Sequence, residues 1–476
     1  MNKRLLLLFI FFFVFFSLPQ LLRFALYSPS IIGTTPYFHI RMAELLLSGQ
    51  AYDSLSFGGR YYTYPPAYHW LLAISPLKYL LNPFIGALGV VLLYFIAREL
   101  GFSEESALFS SALLGFIPGY LYLSGHINPR MPALFFLMLT FLFLLKSRKD
   151  KRMFYLSFLS MPIVFLIHPL VGAVAVFLVL FLFRSMFKRV ALLSLFSLSV
   201  FLLWFLPLAL NLGLPQYSSF YSVYVELKTG IQYFIFEYGL VSDSITAFML
   251  LLSLYAIFKV KGKSFVKEWA ILAFFLPLLI GNRINEQLLF PVALLAAEVF
   301  INHWNRFWKD IKLDFVPVKV WTALFMLYVS VAAILAAGAL MFFPPSAEEY
   351  HAMQWLSLHS PENAVVFADW FYGHWISAIA KRKNVMDAYA EYAPNLEQRF
   401  RDSNKILYGS DINVTISLLR KYNVSYVYYE RPRDAELCSG FPYITRYPYF
   451  KKLYQDKRIY IYKVDYLGNS TPVPIC

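Results

Sequence analysis

The sequence predicts a polytopic α-helical membrane protein of about eleven transmembrane helices, followed by a C-terminal extracytoplasmic α/β domain. Three observations carry that expectation. Of the 476 residues 59% are hydrophobic and only 15% are charged, too few polar groups to clothe a soluble globule of this length. The apolar residues gather into long uninterrupted runs. From residue 344 onward those runs stop, and strand-like and helix-like stretches alternate.

A helix crosses the hydrocarbon with about 20 apolar residues, fewer where neighbouring helices shield its ends. Spans are expected at 5–26, 83–98, 106–123, 131–145, 154–168, 170–183, 190–210, 240–258, 268–281, 287–302 and 320–342. The first follows Met1-Asn2-Lys3-Arg4 and runs on to Leu26 with no small-residue cleavage site, so it reads as an uncleaved anchor. An outer loop, 27–82, comes next, and the apolar stretch Tyr68 to Leu81 reads as an interfacial helix closing it. The expected domains are thus a transmembrane unit, 1–343, and a soluble unit, 344–476. In the latter, Ala364 to Phe367, Val424 to Tyr429 and Ile459 to Val464 read as strands. Phe371 to Ala380, Leu396 to Leu407 and Val414 to Tyr422 read as helices.

Orientation follows from positive charge, because cytoplasmic loops retain Lys and Arg during insertion. With the amino terminus inside, the inner segments hold nineteen Lys and Arg against seven on the outer loops and span ends before residue 344, and 344–476 holds sixteen against fourteen acids. The formal net charge of +14 is therefore mostly positive-inside bias, and no nucleic-acid signal accompanies it. An odd number of spans places 344–476 outside. Three sequons, at Asn413, Asn423 and Asn469, lie in that region, as do Cys438 and Cys476, which an oxidising compartment would allow either to pair or to stay as thiols. Gly-rich phosphate loops, cysteine–histidine metal spacing and Gly-x-Ser-x-Gly elbows are missing from the sequence. Nucleotide-driven chemistry on the inner face is thereby disfavoured.

Four motifs stand out. They are Gly33-Thr34-Thr35-Pro36-Tyr37-Phe38-His39-Ile40-Arg41 with Met42-Ala43-Glu44 after it, and Ser124-Gly125-His126-Ile127-Asn128-Pro129-Arg130. Asn282-Arg283 precedes Leu289-Phe290-Pro291, and Asp369-Trp370-Phe371-Tyr372-Gly373-His374-Trp375 opens the outer domain. Together they resemble the GT-C superfamily of membrane glycosyltransferases, and most of all the archaeal and bacterial oligosaccharyltransferase catalytic subunits. The first resembles that family's Asp-Pro-Tyr-Tyr-His-x-Arg stretch, the second its second acidic motif, and the last a degenerate Trp-Trp-Asp-Tyr-Gly. The resemblance implies a polyprenyl-phosphate-linked sugar as donor and membrane lipid around it. Where the family has metal-binding and acceptor-activating acids, this chain reads Thr35, Asn128 and Arg130, and Phe371 stands for the acceptor-reading aspartate. A guanidinium opposes cation binding, so neither a divalent metal of the family's type nor another cofactor is expected.

Site residues follow from that likeness and from charge placement. Arg41, Arg130 and Arg283, with His39 and His126, are candidates for the donor phosphate, against the alternative that such arginines snorkel at span ends. Asp53, Glu44 and Glu226 are candidate bases, against solvated loop carboxylates. Trp370, Tyr372 and His374 are candidates for the acceptor. Glu286, one turn from Arg283, is expected to pair with it. Tyr61-Tyr62-Thr63-Tyr64 either stacks on sugars or anchors the interface. Two functions remain open: a glycosyltransferase working without the usual metal, and a silent relative serving as scaffold or accessory subunit among glycan-pathway membrane subunits. A transporter fits less well, because paired repeats and broken midplane helices are not evident.

Overall fold

The described residues of the eleven expected apolar segments lie on helices, apart from a few at segment ends and the bend at Ile117. In a computed structural model describing residues 3–214, 244–280, 286–409, 411–431 and 447–467, α1 (Lys3–Leu26) opens the chain. The outer loop contributes α2 (Thr35–Leu47) and α3 (Ala67–Ile74). The membrane helices continue with α4 (Lys78–Glu99), α5 (Glu104–Phe116), α6 (Pro118–Gly125), α7 (Arg130–Lys146), α8 (Arg152–Ile167), α9 (Pro169–Leu182) and α10 (Phe187–Leu212). Then come α11 (Ser244–Lys259), α12 (Ser264–Ile280), α13 (Leu289–Glu298), α14 (Trp304–Asp310) and α15 (Val318–Met341). Among the described residues five helices are long and apolar enough to cross a membrane alone. The pair α5–α6 makes a sixth, bent by 66°. Ile117 is extended there because Pro118, which lacks an N–H, disfavours helix in the residue before it.

Two boundaries differ from expectation. The stretch 68–81 is not one interfacial helix: α3 stops at Ile74 ahead of Ser75-Pro76, and α4 restarts at Lys78. Proline cannot extend the helix, which explains the break. The span expected at 287–302 runs on through a π turn, Val299–His303, into α14, because Trp304, Phe307 and Trp308 continue its buried face.

After α15 the chain forms α16 (Ala347–His359), α17 (Gly373–Ala378), α18 (Leu396–Tyr408) and α19 (Ile412–Lys421). The outer loop carries a short hairpin, β1 (Tyr52–Asp53) with β2 (Arg60–Tyr61). The larger sheet is built from β3 (Val365–Phe367), β4 (Lys383–Asn384), β5 (Val424–Glu430), β6 (Phe450–Asp456) and β7 (Ile459–Val464). Among the described residues its order is β4-β3-β5-β7-β6, parallel from β4 to β5 and antiparallel beyond. The three expected strands and three expected helices are all present, the first helix beginning as a 3₁₀ turn at Trp370–Tyr372. Helix α16 and strands β4 and β6 add to them.

What positions the site is the way the outer loop clamps onto the terminal sheet. Buried Arg23, near the end of α1, donates to the Ser30 carbonyl (3.0 Å), to Met341 (2.7 Å) and Phe343 (2.5 Å) at the end of α15, and to Pro345. A buried guanidinium needs such partners, and here backbone carbonyls supply them. The Ser56 hydroxyl donates to Asp387 Oδ2 (2.6 Å), while Phe57 N–H donates to Asn384 Oδ1 (2.8 Å) and Asn384 N–H to the Leu55 carbonyl (2.8 Å).

Candidate functional site

The first motif begins with Gly33 at φ +96°, a conformation that costs glycine little. Its N–H donates to the Pro344 carbonyl (2.7 Å), which pins the motif to the junction with the terminal region. Pro36 sits in the first turn of α2, where its missing N–H is no loss, so Thr35 opens the helix and His39 lies one turn further on. The second motif is held from below by Asn82 on α4, fully buried. Its amide donates to the carbonyls of His126 (2.8 Å), Asn128 (2.7 Å) and Leu123 (3.3 Å). Asn128 Oδ1 then accepts from Arg130 N–H (2.8 Å) and starts α7.

These segments enclose a cavity of about 210 Å³ lined by Thr35, His39, His126, Asn128, Arg130 and His374, with Tyr64, Tyr122, His168 and Tyr389 completing the polar and aromatic wall. The first residues of three helices, α2 at Thr35, α7 at Arg130 and α9 at its N-cap His168, stand on this wall. Arg130 Nη1 is engaged by Glu286, and a guanidinium has four further N–H groups to offer. His126 donates from Nδ1 to the Tyr122 carbonyl (2.5 Å), which leaves Nε2 as its acceptor. His374 faces Asp387, Nδ1 to Oδ1 being 3.7 Å.

Burial governs the ionisation of this wall. It holds His39 well below the ordinary imidazole value, with repulsion from His69, His374, His168 and His126 adding to the effect. His126 is pushed down to about 4, chiefly by burial. His374 is lowered by burial against the pull of Asp387. Burial works to raise Asp387, but His374, Arg60 and the Ser56 hydroxyl outweigh it and hold the carboxyl below its usual range. Burial raises Tyr64, and Glu391 nearby raises it further.

Several sequence-predicted residues lie elsewhere. Arg41 is paired with buried Asp53 (2.9 Å) and with Glu44 (3.5 Å), and Glu44 also takes Lys381 (2.6 Å). None of the three lines the cavity. Trp370 is exposed, and Tyr372 donates to Glu430 (2.8 Å), so only His374 of the acceptor trio reaches the cavity. Glu226, Arg283, the sequon at Asn469 and both cysteines lie outside the described residues. Glu286, expected to pair with Arg283, is engaged by Arg130. Sequence reasoning passed over Asn82, Tyr389 and Glu391; Tyr389 donates to Glu391 Oε2 (3.0 Å). Asn82 fell in the expected outer loop, and only the start of α4 at Lys78 puts it inside a helix; nothing marked the other two.

No three His, Cys, Asp or Glu side chains among the described residues gather as a metal-binding group. The described cavity wall offers imidazoles, the hydroxyls of Thr35, Tyr64, Tyr122 and Tyr389, an amide and a guanidinium but no carboxylate. Hard divalent cations take oxygen ligands, usually carboxylates, and none of the described lining residues supplies one.

The model of the dolichyl-phosphate-mannose-protein mannosyltransferase family matches residues 54–229. No curated protein matches the sequence. Among solved structures, the Archaeoglobus fulgidus oligosaccharyltransferase with a tethered acceptor peptide is similar at a TM-score of 0.67 and 14% identity, over 98% of this chain and 74% of its own. The same organism's AglB, in complex with an inhibitory peptide and a dolichol-phosphate, superposes at 0.66 and 14% identity, over 98% and 75%. ArnT from Cupriavidus metallidurans bound to undecaprenyl phosphate superposes at 0.64 and 14% identity, over 99% of this chain and 100% of its own. The chain therefore has the GT-C membrane glycosyltransferase fold that its motifs resemble, and its several apolar helices make it a multi-pass membrane protein.

Proposed function

We propose that the chain binds a polyprenyl-phosphate-linked sugar in this cavity, at the outer membrane face, and transfers the sugar to a glycan, lipid or protein acceptor without the family's metal site. One observation carries the reading: three helix starts and Arg130 stand around a cavity whose wall has no carboxylate. Helix N-termini and guanidinium groups both favour an anion, and a lipid phosphate leaving a sugar is one. Fixed donors of this kind stabilise the leaving charge in the transition state as a metal would. Solved structures of similar fold hold dolichol-phosphate and undecaprenyl phosphate, which supports the choice of ligand class. In this reading 1–343 is the membrane unit with a cytoplasmic amino terminus, and 344–476 is an extracytoplasmic unit closing the site from outside.

The second reading, a silent relative working with other glycan-pathway membrane subunits, is favoured by the placement of Asp53 and Glu44, both held in ion pairs away from the cavity. One assay separates the two. Protein in nanodiscs is given a polyprenyl-phosphate-linked sugar, and release of polyprenyl phosphate is followed beside its binding. Transfer predicts release that falls about 100-fold in Arg130→Ala, in line with the loss of one charge-stabilising donor. Binding without release above the variant's level would favour the scaffold, and absence of binding would sink both.

A further inference from the structure

The proposed transfer leaves one chemical question at the cavity. The acceptor's hydroxyl proton needs a base, and none of the nearby carboxylates lines the cavity: Asp53 is paired with Arg41, Glu44 with Lys381, Glu286 with Arg130 and Asp387 with Arg60 and the Ser56 hydroxyl, and Glu391 accepts from Tyr389. The geometry points to an imidazole chain: His39 is the base facing the cavity, and His69 and Tyr62 carry its proton away toward the outer surface.

His39 lines the cavity, and its Nδ1 lies 2.9 Å from His69 Nε2. The other nitrogen of His69, Nδ1, is hydrogen-bonded to the Tyr62 hydroxyl. With Nδ1 engaged, His39 has Nε2 left for an occupant of the cavity. His39 is 2% exposed and His69 fully buried, whereas Tyr62 is partly exposed, so the chain leads from the cavity outward. It is also rigid. His39 stands on α2 and His69 on α3, and the rings of Phe38, Tyr64 and Tyr68 pack around His39 with centroids 5.1–5.2 Å away. The other histidines of the wall are tied differently: His126 by the Tyr122 carbonyl, His168 as the α9 N-cap, and His374 by Asp387.

A neutral imidazole has one donor and one acceptor nitrogen, so both His69 bonds can be made only if all three groups point their protons the same way. Burial keeps the two rings neutral, His69 being lowered to about 3, and the neutral ring is the form that relays. In the step, the acceptor O–H bond breaks as its oxygen bonds to the sugar carbon, and the sugar–phosphate bond breaks with its electron pair leaving on the lipid phosphate. The hydroxyl proton goes to His39 Nε2, the His39 Nδ1 proton to His69 Nε2, the His69 Nδ1 proton to the Tyr62 oxygen, and the Tyr62 proton to water. Both rings end in the opposite tautomer, and proton exchange with water in the emptied site resets them. His39 touches substrate; His69 and Tyr62 are positioning and relay residues.

This assignment rests on the transfer reading, and two measurements keep their failures apart. Histidine-selective ¹⁵N solid-state NMR of the whole protein in nanodiscs needs no turnover. Tyr62→Phe is expected to shift the tautomer populations of His69 and also of His39, which it does not touch; an unchanged His39 signal overturns the chain. In the release assay, His39→Gln is expected to lose about 100-fold or more in turnover, a general base's usual share. His69→Gln keeps a hydrogen bond but cannot relay, and should also lose the solvent isotope effect of the wild type. His39→Gln turning over like the wild type would overturn the assignment. A wild type that releases nothing, with the tautomers coupled, would instead overturn the transfer reading.

Discussion

Arg130 and Glu286 are 156 residues apart in the sequence and meet at the cavity wall. Nothing local in either stretch announces the pair, because a guanidinium at the start of one helix and a carboxylate at the start of another could each have taken many partners. The sequence did single out Thr35, Asn128 and Arg130, where the family it resembles carries acids, and these residues do share one wall. The partner of Arg130 was not legible, nor was the engagement of Arg41 with Asp53, since both depend on how the outer loop folds back. Arg130→Ala strands the buried Glu286 carboxylate, but Arg130 itself is about a third exposed, so the loss should be screened to about 1 kcal/mol, and Arg130→Ala with Glu286→Gln should recover most of it; thermal unfolding in detergent measures both. The histidines give a pH prediction. In His69 and His126 the folded values, about 3 and about 4, lie below the ordinary 6.5, so the unfolded chain binds more protons in between. Stability contributed by these rings is present above 6.5 and drains as pH falls toward 4. His69→Gln should flatten the acid limb of a melting-temperature profile, and an unchanged limb would contradict the buried neutral ring.

The short α17 shows how closely the elements around the site are fitted. A Cβ at Gly373 would collide with the Met386 carbonyl and with Asp387, so the turn after β4 lies directly on the glycine. Gly373→Ala should push that turn, with Asp387 and Tyr389, out of place and lower polyprenyl-phosphate affinity with little change in the membrane helices; circular dichroism beside a binding assay would tell the two apart. Legibility at this scale followed hydrophobic periodicity. Long apolar runs are almost unambiguous as helices, and β5 and β7 read clearly because their buried positions are aromatic and β-branched. Strand β6 was missed because it lies at the sheet edge, where Lys451 and Lys452 are exposed and no alternation survives. Helix α16 left a signal that went unused: Ser346 and Glu349 form a capping box at its start.

Across the whole molecule, the cavity is assembled from the loop between α1 and α4, the turn before α7 and the terminal sheet unit, and the proposal puts it on the outer face. The orientation is testable by itself. In a cysteine-free background, Lys452→Cys on β6 should react with a membrane-impermeant maleimide in intact cells, and Lys149→Cys between α7 and α8 only after permeabilisation; the reverse pattern would invert the topology. The membrane class was readable from composition, because a chain this apolar has the bilayer as its solvent, and the helices and the terminal α/β region from the pattern of apolar runs. The cavity was readable only as a set of motifs, since its walls come from segments more than 300 residues apart, Thr35 and Tyr389 among them. The most direct test is a cryo-electron microscopy structure of the protein in nanodiscs with polyprenyl phosphate. The account predicts the phosphate inside the cavity, within hydrogen-bonding distance of Arg130 and the start of α2. A phosphate bound at Arg41 or elsewhere, with this cavity left empty, would contradict it.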